Sequence, residues 1–588
     1  MVRARTRDFR DSVGGYRRHD RPMKYRRRRA ALGADSTHLI GDRTTASVVA
    51  ASDAAVVSGP LLPGKSAVTG GRTAGASDPW LVVVIVCVAQ FMVVLDATIV
   101  NVALPSIQRG LRFSPSSLQW VINMYTLMFG GFMLLGGRAG DLIGRKRVFG
   151  AGILLFSGAS LLNGLAQSSG MLIAGRGLQG LGGALLAPAV LSIITTTFSD
   201  EKDRAKALAI WSAIAAGGGA VGLLLGGVLT DLASWRWIFF VNVPIGVALA
   251  VATVRFVPES RSELTHRTFD LPGAVSVTAG LVVLVFAIVK SQSYGWGAPR
   301  TIGLLAAGVV LLAGFLAIER RSPAPLMRLG IFRLHGLAAA DLTLLLTAAA
   351  VFATFFFVSL YLQQILGYSP LRAGVAFLPF SAGIATGATV ARKLVPRLGV
   401  HVVPVIGLAL ATAGMTVLTQ LPVHGRYASN LLPGVLPLGL GMGLTFVPIT
   451  LAGTSEVTGE DAGVASGLLN TAQQVGGSIG LAIISTLAAS RTTSLLRGPA
   501  TPGSGLTARV SGFHVAFIAA AGLLGAAWAV TALQLRTRRA GEPRHMDVPR
   551  DLAARAVGCA QCAPVALNNT SVRQTSPSAN DPTTAHRR

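Results

Sequence analysis

Between residue 80 and about residue 533 the chain alternates long apolar blocks with short polar segments. Fourteen such blocks can be drawn, at 80–103, 117–135, 148–166, 171–197, 206–229, 236–257, 270–290, 301–318, 336–360, 373–391, 401–419, 431–453, 463–488 and 512–533. An α-helix rises 1.5 Å per residue, so roughly 20 apolar residues cross a hydrocarbon core about 30 Å thick. Inside that core no water satisfies free peptide groups, which leaves the helix as the natural state for each block. The pattern predicts an all-α membrane protein with 14 transmembrane helices.

Composition agrees. Of the 588 residues 51% are hydrophobic and 13% charged, about half the charged share of a soluble domain. The 69 glycines suit a bundle in which bare backbones approach closely. The formal net charge of +27 does not point to nucleic acid. Part of it lies in residues 1–79, around Arg17–Arg18 and Lys24–Arg29, with few aromatics nearby and no reading motif, and the rest is spread over loops and the C-terminal segment. Loops on the side of the segment 136–147 hold about twice as many Lys and Arg as those on the other side, so both termini are expected to be cytoplasmic. Residues 1–79 and 536–588 are expected to be disordered tails. The string GPLLPGKS at 59–66 matches a phosphate-binding loop literally, but it lacks the flanking strand and helix such a loop needs, so no ATP partner is expected. Cys559 and Cys562 stand in a polar tail with no second ligand pair. Neither a metal nor a cofactor is expected, and the reading is not an enzyme.

The candidate chemistry lies where charge interrupts the apolar blocks, because an ionisable group at membrane depth is costly and marks a pathway. Asp96 sits in the first block, in LDATIVNVALP, and Arg176 in the fourth, in RGLQGLGGALLAP. Both fall below the same membrane face at comparable depth, where pairing offsets part of the cost of each. A carboxyl group there can take up and release a proton as its surroundings switch between wet and dry. An Arg that keeps its proton biases that exchange. Gln179, one turn beyond Arg176, and Asp341, near the start of the ninth block, are weaker candidates for a substrate cavity, Asp341 having as its alternative a role in capping and wetting the helix start. The segment GGRAGDLIGRKR at 136–147 is read as a conformational latch. Its Gly137 and Gly144 allow tight turns, and Asp141 can pair with Arg145 beside Lys146.

Together these segments resemble the major facilitator superfamily, and within it the fourteen-span drug:proton antiporters of the EmrB/QacA type. The family signature G-x-x-x-D-x-x-G-R-[KR] is carried by Gly137, Asp141, Gly144, Arg145 and Lys146. LDATIVNVALP matches the first-span string, and Arg176, Gln179 and Gly180 the fourth-span R-x-x-Q-G. WRWIFFVNVPIG at 235–246 resembles the sixth-span start, and YLQQILGYSPLRAG at 361–374 the end of the ninth. The resemblance implies two six-helix halves, 80–257 and 336–535, around two inserted helices within 258–335. It also implies alternating access around a midplane cavity, with Asp96 and Arg176 in proton coupling.

One departure stands out. The family's fifth-span motif G-x-x-x-G-P-x-x-G-G keeps Gly218, Gly222, Gly226 and Gly227 here, which can form a smooth helix-packing face, but Leu223 replaces its Pro. The expected function is proton-coupled efflux of small organic or amphipathic compounds by a monomer in the cell membrane. The alternatives are a narrow exporter of one endogenous metabolite, an uncoupled facilitator, and a membrane scaffold or sensor.

Overall fold

The computed structural model describes residues 78–261, 270–322, 325–327, 329–455, 457, 461–497 and 503–539. Residues 1–77 and 540–588, with the string at 59–66 and the Cys559–Cys562 pair, lie outside the described residues, while residues 536–539, expected in the C-terminal tail, continue the last helix.

Among the described residues there is no strand, and fourteen helices account for the apolar blocks. They are α1 Pro79–Gly110, α2 Trp120–Ile143, α3 Arg145–Gly164, α4 Ser169–Thr197, α5 Glu201–Leu232, α6 Trp237–Phe256 and α7 Leu271–Tyr294. The others are α8 Pro299–Arg321, α9 His335–Ile365, α10 Pro370–Leu398, α11 Val402–Leu418, α12 Tyr427–Thr454, α13 Asp461–Leu496 and α14 Ser504–Arg539. Thirteen are long and apolar enough to cross a membrane, and α11 is somewhat shorter. Helix starts follow local chemistry. Asp78, Ser168, Asp200 and Asp270 each cap a helix by accepting a hydrogen bond from a backbone N–H of its first turn.

Several helices outrun their apolar blocks. α1 continues to Gly110, past the expected end at 103, and α13 to Leu496, past 488. The segment 136–147 is not a loop. Residues 136–143 complete α2, Gly144 alone makes the turn, and Arg145 opens α3. A one-residue connection needs an unusual backbone, and Gly144 has φ 121°, a region that side chains disfavour.

Helices α1–α6 pack on one another, chiefly through α1 on α5, α2 on α4, and α3 on α4 and α6. Helices α9–α14 form a second group, led by α9 on α13 and α14, and by α12 on α10 and α11. The groups meet along α2–α13 and α5–α10, with a smaller contact of α1 on α9. α7 packs on both α2 and α13, while the main neighbour of α8 is α7.

Candidate functional site

Asp96 and Arg176 are brought together. Arg176 Nη1 donates to Asp96 Oδ2 at 2.6 Å, and the two side chains are 2% and 0% exposed, respectively. Around them α1, α3, α4 and α6 build a closed polar cluster. Asp96 Oδ1 accepts from Gln179 Nε2 at 2.7 Å and from Asn242 Nδ2 at 3.1 Å. Ser160 Oγ accepts from both of these amides. Gln179 Oε1 in turn accepts from Arg176 Nη1 at 2.7 Å and from Asn163 Nδ2 at 2.8 Å. Arg176 Nε donates to the carbonyl of Val121 at 3.0 Å, and its guanidinium lies 4.2 Å from the centre of the Tyr125 ring. A buried ion pair is tolerable only when further hydrogen bonds satisfy its remaining atoms, and here the Gln179 and Asn242 amides and the Val121 carbonyl supply them, with Ser160 holding the two amides in place. Ser160, Asn163 and Asn242 went unnoticed in the sequence. The available signal was that each is a polar residue inside an apolar run.

The α2–α3 turn holds the second cluster. Asp141 pairs with Arg145 at 3.2 Å. Lys146 N donates to Glu259 Oε1 at 3.2 Å, Lys146 Nζ to the carbonyl of Val254 at 2.9 Å, and Arg145 N to that of Ser260 at 3.0 Å. Arg147 stands 3.5 Å from Glu259. The network therefore ties the turn to the end of α6, within the first helix group, and Glu259 is the acceptor that sequence reasoning missed. Gly137 has room for a side chain, whereas a Cβ at Gly144 would strike Glu259.

The α5 glycines divide between two neighbours. Side chains at Gly218, Gly222 and Gly226 would press on α1, at Val94, Leu95 O and Ile99 O respectively. Gly227 instead abuts Pro370 and Leu371 of α10, in the other helix group. Leu223, in the Pro position, is buried and its carbonyl lies against Gly374, so α5 runs unbroken across both contacts.

Between the groups lies a cavity of about 200 Å³, far more than the 10–15 Å³ that holds one water. α1 lines it with Gln90, Val94, Ala97 and Asn101, a stripe at helical spacing from which Asp96 is rotated by about 100°. The second group contributes Phe352, Phe355, Phe380, Phe446 and Gln474. Tyr125 and Arg176 belong both to the wall and to the polar cluster, so they form the partition between cavity and carboxylate. At the α1 and α9 ends, Ser359 Oγ donates to Asn101 O at 2.6 Å and Gln363 Nε2 to Val102 O at 2.8 Å, joining the groups. Mid-helix, Thr126 and Ser478 hydroxyls meet across α2 and α13.

Two expectations need correction. Gln179 does not line the cavity, because its amide is spent on the buried cluster. Asp341 does not line it either. It is 8% exposed and neither of its carboxylate oxygens has a hydrogen-bond partner among the described residues. It precedes Ala348, a wall residue, by two turns of α9, about 10 Å along the axis.

Comparison with known proteins agrees with this architecture. Residues 86–481 match the Major Facilitator Superfamily. The chain is 42% identical over 473 residues to the puromycin resistance protein of Streptomyces alboniger, covering 79% of this chain and 94% of that protein. It is 39% identical over 426 residues to the cephamycin export protein of Amycolatopsis lactamdurans, covering 72% and 88%. Among solved structures, a bacterial homologue of the human lysosomal transporter Spinster superposes with a TM-score of 0.57 at 17% identity, over 80% of this chain and 99% of that one. That last likeness concerns the fold alone.

Proposed function

The chain belongs to the Major Facilitator Superfamily, and on that premise we propose that it exports small organic compounds across the cell membrane in exchange for protons. The observation that carries this reading is the Asp96–Arg176 pair, sealed from solvent while Arg176 and Tyr125 also belong to the cavity wall. Protonating Asp96 removes the charge that Arg176 pairs with. The guanidinium must then find other partners, and the wall it shares with the cavity must shift. Cargo arriving on the cavity side presses on the same wall. The two events are thereby coupled without competing for one carboxylate.

In this mechanism α5 and α10 slide or separate at Gly227 and Gly374 while the α1 and α9 ends exchange the Ser359 and Gln363 hydrogen bonds for water. The Arg145–Glu259 region holds α2, α3 and α6 together as a rigid unit during that motion. The basic loops on its side support cytoplasmic termini. The functional unit in this proposal is the monomer. Names of the relatives, resistance to puromycin and export of a cephamycin, support outward transport of antibiotics and similar organic molecules.

The test is proton movement. In everted vesicles with an acid interior, adding a cargo from a panel that includes puromycin and a cephamycin should dissipate the pH gradient. Asp96→Asn should abolish that signal while the protein still inserts. Equal cargo movement without any pH difference would refute proton exchange.

A further inference from the structure

The cavity wall has a chemical bias. Among the described residues no Asp or Glu lines it, and the charged side chain that does reach it is the cation Arg176. Asp96 points off the lining stripe and its oxygens are taken by three donors. The nearest other buried carboxylate on a lining helix face, Asp341, lies two turns away from the wall. A permanently charged cation placed here would lose its water and meet no opposite charge. Ring faces return only part of that loss: the Tyr125 face is already covered by Arg176, and Phe355 is stacked on Phe377 and edge-packed on Phe380, so of these wall rings Phe352 and Phe446 are left to stack on a flat cargo.

What the wall does offer is unsatisfied amide. Gln90 is 1% exposed, and both polar atoms of its side chain are buried without a partner. Gln474 Oε1 is likewise buried and unpartnered. Gln90 comes from α1 and Gln474 from α13, so the two amides enter the cavity from opposite helix groups. The other polar wall residues of α1 are partly used at home, since Thr98 Oγ1 and Asn101 Nδ2 bond to carbonyls of their own helix.

Deepening the transport reading above, on which this rests, we infer that the cavity selects uncharged, planar aromatic molecules bearing carbonyl or amide groups. Gln90 and Gln474 hydrogen-bond those groups from the two sides, and permanent cations are disfavoured. Because the amides belong to different helix groups, a cargo that engages both bridges the surfaces that must move apart.

Binding, rather than transport, isolates this claim from proton coupling. Purified full-length protein in nanodiscs is titrated against a fluorescent coumarin carboxamide and against its trimethylammonium counterpart of equal size. The neutral probe should bind at least tenfold more tightly. Gln90→Leu and Gln474→Leu should each weaken the neutral probe about tenfold and leave the cation unchanged. Gln474→Glu, which keeps the size of the side chain, should improve cation binding about tenfold even if the Gln90 variant folds poorly. Failure of the neutral probe to bind, a cation bound as tightly, cation binding that depends on Asp341 in Asp341→Asn, or no gain in Gln474→Glu would each overturn the inference. Loss of the vesicle proton signal with neutral selectivity intact would instead strike only the coupling mechanism.

Discussion

Among the described residues each of the two six-helix groups buries one carboxylate, and the two are treated in opposite ways. Asp96 is surrounded by Arg176, Gln179 and Asn242. Asp341, nearly as buried, has no hydrogen-bond partner for either oxygen. The first group has invested several helices in holding one charge, while the second supplies an aromatic wall and leaves its acid alone. Burial alone therefore says little about role. The partners decide whether a buried acid is structural support, exchange site or liability.

The contrast is broken most severely at Arg176. Arg176→Leu leaves Asp96 buried and uncompensated and should destabilise the protein by about 3–5 kcal/mol, read as a lower thermal midpoint in detergent, with proton exchange lost. Adding Asp96→Asn to that variant should recover part of the stability, since the uncompensated charge is gone. Next in size is the packing beneath the pair. Gly222→Leu forces a side chain into Leu95 O and Thr98 and should cost about 1–3 kcal/mol, with α1 and the Asp96 cluster displaced together. Asp341→Leu sharpens the comparison with the opposite sign. Removing a buried carboxyl group that has no partner should raise stability by about 1 kcal/mol, and a fall of comparable size would mean that Asp341 has a structural role. The smallest effect is expected at Glu259→Ala. Its pairing with Arg147 is largely exposed, so unfolding should shift by at most about 1 kcal/mol and less at high salt.

Much of this was legible in the residues. Fourteen apolar blocks became fourteen helices, and equal depth was enough to pair Asp96 with Arg176. What escaped was rotation. Depth follows from counting along a helix, but which neighbour a side chain meets depends on how helices turn about their axes. Gln179 was therefore sent to the cavity although it faces Asp96, and the cavity stayed one of two readings for Asp341 although the wall stops short of it. Ser160, Asn163 and Asn242 were silent for another reason. A neutral amide or hydroxyl costs far less than a charge inside a span, so it interrupts the apolar pattern too weakly to be noticed. The segment 136–147 was misjudged because polarity was taken for irregular backbone, while a helix end can carry charge freely once it leaves the hydrocarbon. Leu223 shows the converse: losing a Pro left α5 continuous across its contacts with α1 and α10.

The placement of α7 has a consequence for how cargo can enter. It lies over the seam where α2 meets α13, with Thr278 pressed on Gly131 and Gln292 donating to the Thr486 carbonyl. A twelve-helix bundle would expose that seam to acyl chains. Here α7 covers it, so on this flank a compound dissolved in the bilayer meets α7 before it meets the α2–α13 seam, whereas among the described residues the α5–α10 seam has no such extra helix packed over both its members.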